Sequence, residues 1–137
     1  MELSDKIPGT SFTWAQACYQ PKWLLHVWPS SDQMKHIQES AQRLQKIKDL
    51  FPSKDLVITS WLRCEPYNLM IGGSVNSRHI KGMAVDFYIK GVSIKDVQAV
   101  LEPKLNELNI CMERGTKTWV HIDTGSPRQM SGRYFYP

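Results

Sequence analysis

The chain has 137 residues, with 17 Lys plus Arg against 13 Asp plus Glu for a formal net charge of +4, and 42% hydrophobic and 22% charged residues. These values exclude a disordered or collagen-like chain, and the length suits one domain, 1–137, leaving no room for a second core. No run approaches the about 18 apolar residues of a membrane span, and Met1 to Lys6 shows neither the basic nor the apolar region of a secretion signal.

Residues 1–12, with Pro8-Gly9, read as an exposed lead-in. Thr13 is placed to cap a short helix through Tyr19, ended by Pro21. Pro29-Ser30-Ser31 is a start signal for a main helix over 31–51. Its apolar positions Met34, Ile37, Ala41, Leu44, Ile47 and Phe51 step by three and four, the period of an amphipathic helix. Leu56 to Leu62 is rich in β-branched residues and reads as a buried strand. Pro66 to Met70 suits one helical turn, and Gly72 to Ser77 a loop. Met83 to Ile89 alternates as a strand, with Val85, Phe87 and Ile89 on one face and Ala84, Asp86 and Tyr88 on the other. Ser93 caps a second helix toward Leu108, interrupted at Pro103. Asn109 to Glu113 and Thr118 to Asp123 read as a hairpin around Gly115. The elements predict a small α+β domain with helices on one face of a mainly antiparallel sheet.

Cys18, Cys64 and Cys111 form no C-x-x-C pair and read as free thiols. His36 falls on the polar side of its helix and reads as solvated. His26, among Trp23, Leu25 and Trp28, reads as a packed histidine. No phosphate-binding glycine motif and no dense basic patch occurs, so no nucleic-acid partner is indicated. The mild positive charge suits a weak, salt-sensitive attraction to an anionic surface such as a cell wall.

The chemistry concentrates in three places. Asp86 lies on the polar face of the middle strand. His79 precedes it at the end of the glycine-rich loop, with Gly82 between them. His121 lies on the last strand in Trp119-Val120-His121-Ile122-Asp123, on the face opposite Val120 and Ile122. Two histidines and one carboxylate with an open fourth position form a catalytic zinc set, since imidazole and carboxylate are good ligands for that ion. Spacing alone leaves open that these are histidines satisfied at the surface or in the core.

Ser77-Arg78-His79-Ile80-Lys81-Gly82-Met83-Ala84-Val85-Asp86 fits S-x-H-x-x-G-x-A-x-D, and Trp119 to Asp123 fits W-V-H-x-D. Upstream, Ser60-Trp61-Leu62-Arg63 supplies a strand ending S-x-x-R, followed by Asn68 and Gly72-Gly73. Together these resemble the zinc D-alanyl-D-alanine carboxypeptidase family, peptidoglycan peptidases that include phage L-alanyl-D-glutamate endolysins and share the fold of the hedgehog signalling domain. The resemblance covers roughly residues 28–137.

It implies one zinc ion per chain, held by His79, Asp86 and His121. It implies that Ser77 hydrogen-bonds substrate, and that Arg63 steadies the oxyanion or holds a substrate carboxylate. Many members carry the carboxylate base three residues before the last histidine, where this chain has Thr118. The nearest acid is Glu113, which fits the members whose base stands on the preceding strand. If Glu113 is the base, it must share a face with His121. A two-residue turn at Gly115-Thr116 would put it on the other face, and a changed loop length or a bulge would bring it round. Trp119 lines the substrate cleft or covers the sheet, and Asp123 orients a zinc histidine or sits in a turn. Arg133 to Tyr136 reads as a terminal strand.

The expected function is zinc-dependent hydrolysis of an amide bond in the peptide stem of peptidoglycan, by metal-activated water with Glu113 as base. The alternative is an inactive zinc-containing binding module, or a phage structural protein, on the same fold. A monomer without membrane insertion is expected. With no visible signal, access to the wall is expected through non-Sec release or as a phage component.

Overall fold

The computed structural model describes residues 1–128 and 131–137. Helix α1 (Trp14–Cys18) starts at Thr13, whose hydroxyl accepts the Gln16 amide while the Gln16 side chain accepts the Thr13 amide. This reciprocal box satisfies two amides that lack partners inside the helix. A short hairpin follows, β1 (Tyr19–Gln20) against β2 (Leu25–His26). Helix α2 (Ser31–Asp49) repeats the capping box with Ser30 and Gln33 and buries Ile37, Ala41, Leu44 and Ile47. These are four of the positions its sequence period selects.

The chain then builds β3 (Leu56–Ser60), α3 (Glu65–Met70), β4 (Ala84–Ile89), α4 (Ile94–Leu101), α5 (Leu105–Leu108), β5 (Cys111–Glu113), β6 (Val120–Asp123) and β7 (Tyr134–Phe135). Pro103 does interrupt the second helical stretch, which passes through a tighter turn over Glu102–Lys104 between α4 and α5. Five strands form one sheet in the order β3-β4-β6-β5-β7, antiparallel except for the β5–β7 pair. Val85, Phe87 and Ile89 of β4 and Val120 and Ile122 of β6 meet the apolar stripe of α2, with Val97 and Leu101 of α4, in one core. The other face of the sheet is left for polar groups.

Two expectations change. Residues 1–12 are not an exposed lead-in, because Ile7 and Phe12 are buried in the core. The turn at Pro8-Gly9 folds the segment back, so that the Ile7 amide donates to the Phe12 carbonyl at 2.8 Å. Phe12 then meets Trp61 edge-on at 6.0 Å. The first long strand also ends at Ser60 rather than at Leu62. A bulge shifts its register between Ile58 and Ser60, and the chain turns away so that Trp61 and Leu62 are buried. Trp61 anchors there by donating its indole N–H to Ser40 at 2.9 Å.

Candidate metal centre

The sheet registers place the candidate residues in one row. Ser60 of β3 stands opposite Asp86 of β4, and Asp86 opposite His121 of β6. Met112 pairs with Ile122, so the next position along sets Glu113 of β5 across from His121. Glu113 in turn lies beside Phe135 of β7. Directly opposed residues share a face with their Cβ atoms about 4.5–5.5 Å apart. Five strands therefore present Ser60, Asp86, His121, Glu113 and Phe135 side by side. The bulge in β3 contributes by bringing Ser60, rather than Thr59, level with Asp86.

His79 reaches this row from a short turn over Arg78–Lys81, opened by Ser77, whose hydroxyl accepts the His79 amide at 3.2 Å. The turn closes at Gly82, where φ is +79°. A side chain there would be strained, and its Cβ would lie 2.8 Å from Ile37 Cγ1 on α2. The glycine of the S-x-H-x-x-G pattern thus lets the histidine turn lie against the main helix.

His79 Nδ1 lies 2.7 Å from the Trp61 carbonyl. A carbonyl only accepts, so Nδ1 carries the hydrogen and Nε2 presents its lone pair. Burial lowers the His79 pKa against the pull of Asp86, keeping the ring neutral. His79 Nε2 is buried without a hydrogen-bond partner, although Asp86 Oδ1 is 3.2 Å away. The same carboxylate oxygen lies 2.8 Å from His121 Nδ1. The other, Oδ2, accepts from Arg63 at 3.2 Å. Burial acts to raise the Asp86 pKa, but the two histidines outweigh it and hold the carboxyl well below the usual range.

His79, Asp86 and His121 each offer one ligand atom, all within 4.8 Å of one another. A buried imidazole lone pair with no partner is rare in a folded protein, and a cation would satisfy this donor set. Two nitrogens and one carboxylate oxygen suit zinc, so the residues fit the ion the sequence implies. His121 turns its Nε2 to Asp123 Oδ2 at 3.0 Å. Burial opposes its charge, yet hydrogen bonds to Asp123 and Asp86 push the His121 pKa up to about 9. The Asp123 contact is the arrangement that orients a metal-binding ring.

These side chains line a cleft of about 770 Å³ together with Arg63, Ser77, Glu113, Trp119 and Arg128. Glu113 is thus on the His121 face, because the connection between β5 and β6 is longer than a two-residue turn. Burial raises its pKa above the ordinary glutamate value. Arg63 is tied down, its guanidinium donating to Ser60 at 2.9 Å and Asn68 at 3.3 Å besides Asp86. Trp119 is 36% exposed at the cleft edge.

The remaining candidates separate from the site. Burial pushes the Cys18 thiol up to about 11 and also raises that of Cys111, so neither is a thiolate at neutral pH. His26 is exposed rather than packed, stacked at a tilt on Tyr19 at 5.1 Å. The hairpin β1–β2 holds it outside the core. Sequence reasoning missed Arg78 and Arg128, which both reach the buried Asp123. Arg78 was already inside the histidine motif, and its place next to His79 was the available signal.

No helix among the described residues is long and apolar enough to cross a membrane. A family model described as Peptidase M15 matches residues 6–123. Comparisons with curated proteins and with solved structures find no match.

Proposed function

The chain belongs to the peptidase M15 family, a family of metallopeptidases, and from that premise we propose that it is a zinc peptidase cutting an amide bond in the peptide stem of peptidoglycan. The observation that carries this reading is the convergence of His79 Nε2, His121 Nδ1 and Asp86 Oδ1 at a cleft that also holds Glu113. His79, Asp86 and His121 would hold the ion. When bound, zinc supplies Lewis acidity and lowers the pKa of a water to about 7.

The protein's own groups do the rest. Glu113 accepts the proton of the attacking water on its carboxylate and returns it to the leaving amine. Its pKa, raised by burial, favours its holding that proton until the amine leaves. Arg63 faces the developing charge on the scissile carbonyl, or a carboxylate of the substrate, with the N–H groups that Asp86, Ser60 and Asn68 do not take. Ser77 and Trp119, which line the same cleft, contact the peptide. Burial of the ligands on one side and the open cleft on the other allow a long, branched substrate to reach the centre.

The test is digestion of purified peptidoglycan by zinc-loaded protein, with mass spectrometry of the fragments. New amine and carboxyl ends within the stem peptide are expected, and their position names the bond and distinguishes a carboxypeptidase from an endopeptidase. Cleavage confined to the glycan, or no new ends at all, would overturn the proposal. Binding without cleavage by a zinc-loaded protein would favour the binding-module alternative.

A further inference from the structure

Asp123 is fully buried, with 0% side-chain exposure, two residues along β6 from His121 and opposite Ala84. It accepts from His121 Nε2 through Oδ2 at 3.0 Å. Its other oxygen is held by Arg78. The Arg78 guanidinium makes a second contact, donating from Nη2 to the Ser126 carbonyl at 2.7 Å. It is thus fixed at two points, which the rigid, spread donors of a planar guanidinium suit better than a compact ammonium.

The space it occupies exists because residue 125 is glycine. A Cβ on Gly125 would overlap the Arg78 guanidinium at Cζ, Nη1 and Nε. Arg128 also reaches Asp123, at 3.1 and 3.4 Å, but lies on the Phe135 ring and is the more exposed of the two, 32% against 21%. Arg78 is therefore the tighter partner. Gly125 and Ser126 lie beyond the residues that match the family model.

We infer that Arg78 is a positioning residue for the metal centre, acting through Asp123 on His121, and that Gly125 is required to admit it. The inference rests on the reading that His79, Asp86 and His121 hold zinc. Arg78 and His79 are neighbours in one turn. The backbone of that turn places one histidine, while the Arg78 side chain fixes the carboxylate that orients the other. The guanidinium balances the charge of a carboxylate that burial removes from solvent. Without it, Asp123 keeps only the more exposed Arg128 as a cationic anchor, and its hold on His121 Nε2, which directs Nδ1 toward Asp86, is loosened.

Zinc affinity measured by competition with a chromophoric chelator tests this, on wild-type, Arg78→Ala, Arg78→Lys, Gly125→Ala and His79→Ala proteins. Wild-type is expected to bind and His79→Ala not to. Arg78→Ala and Gly125→Ala are expected to bind about 10–100-fold more weakly, as for loss of a group that orients a ligand. Arg78→Lys should recover part of that loss and no more. With cobalt in place of zinc, the visible absorption of Arg78→Ala should shift from that of wild-type. A purely structural role would lower the unfolding temperature of the metal-free protein while leaving affinity and spectrum unchanged, and that result overturns the inference. If Arg78→Ala does not fold, wild-type affinity in both Arg78→Lys and Gly125→Ala overturns it equally. Absence of zinc binding by wild-type would instead overturn the metal reading, and the inference with it.

Discussion

Glu113→Gln, loaded with zinc, is expected to lose about 10²–10⁴-fold in kcat on a peptidoglycan stem peptide while folding and binding metal as wild-type does. The amide fills the same space and still accepts a hydrogen bond, but it takes no proton. The effect is expected on the chemistry rather than on the ligands, because Glu113 stands opposite His121 and acts on Arg63 and His121 through its charge. Its pKa is raised by burial and by the neighbouring Asp86 and Asp123, and lowered by His121 and Arg128. Retention of near-wild-type kcat would remove Glu113 as the base. Loss of activity together with loss of zinc would mean that the substitution had disturbed the ligands instead.

Asp86→Ala is expected to do more, and to the fold as well as to the chemistry. One carboxylate serves three partners, with Oδ1 toward His79 and His121 and Oδ2 toward Arg63. All four side chains are at least largely buried, with exposures of 3–14%. Removing the only anion among them leaves Arg63 without its carboxylate partner and His121 with Asp123 alone. Breaking a buried pair by deleting one member destabilises by about 3–5 kcal/mol. Denaturant unfolding of the metal-free protein should show a loss of that size, and zinc binding should disappear. A loss below about 1 kcal/mol would place Asp86 in a better-solvated setting than its burial implies.

The parts of this site that were legible in the sequence are those governed by local rules. Alternation alone put Asp86 on the polar face of β4 and His121 on the polar face of β6, because each strand has one face in the core. The spacing of His79, Gly82 and Asp86 carried the turn that joins them. The capping boxes at Thr13 and Ser30 left a serine or threonine at each helix start. Less legible was anything set by contacts between distant segments. Whether Glu113 shares a face with His121 depends on the length of the β5–β6 connection, which the sequence allowed in either sense. The bulge in β3, which ends that strand early and aligns Ser60 with Asp86, has no glycine or proline to announce it. Ile7 and Phe12 are two apolar residues beside a Pro-Gly turn, too few for a periodic signal, yet both enter the core. Arg78 and Asp123 are 45 residues apart in the chain, and only the folded sheet brings them together.

The most direct measurement is the zinc content of purified wild-type and His79→Ala protein after exhaustive dialysis against metal-free buffer containing a weak chelator. His79 Nε2 is a buried lone pair without a hydrogen-bond partner among the described residues, so it is an atom whose role an ion would account for. Wild-type is expected to retain about one zinc per chain and His79→Ala essentially none, as for a site built from three protein ligands. A folded wild-type protein that retains no zinc and binds none when it is supplied, or a His79→Ala protein that retains as much as wild-type, would contradict the assignment.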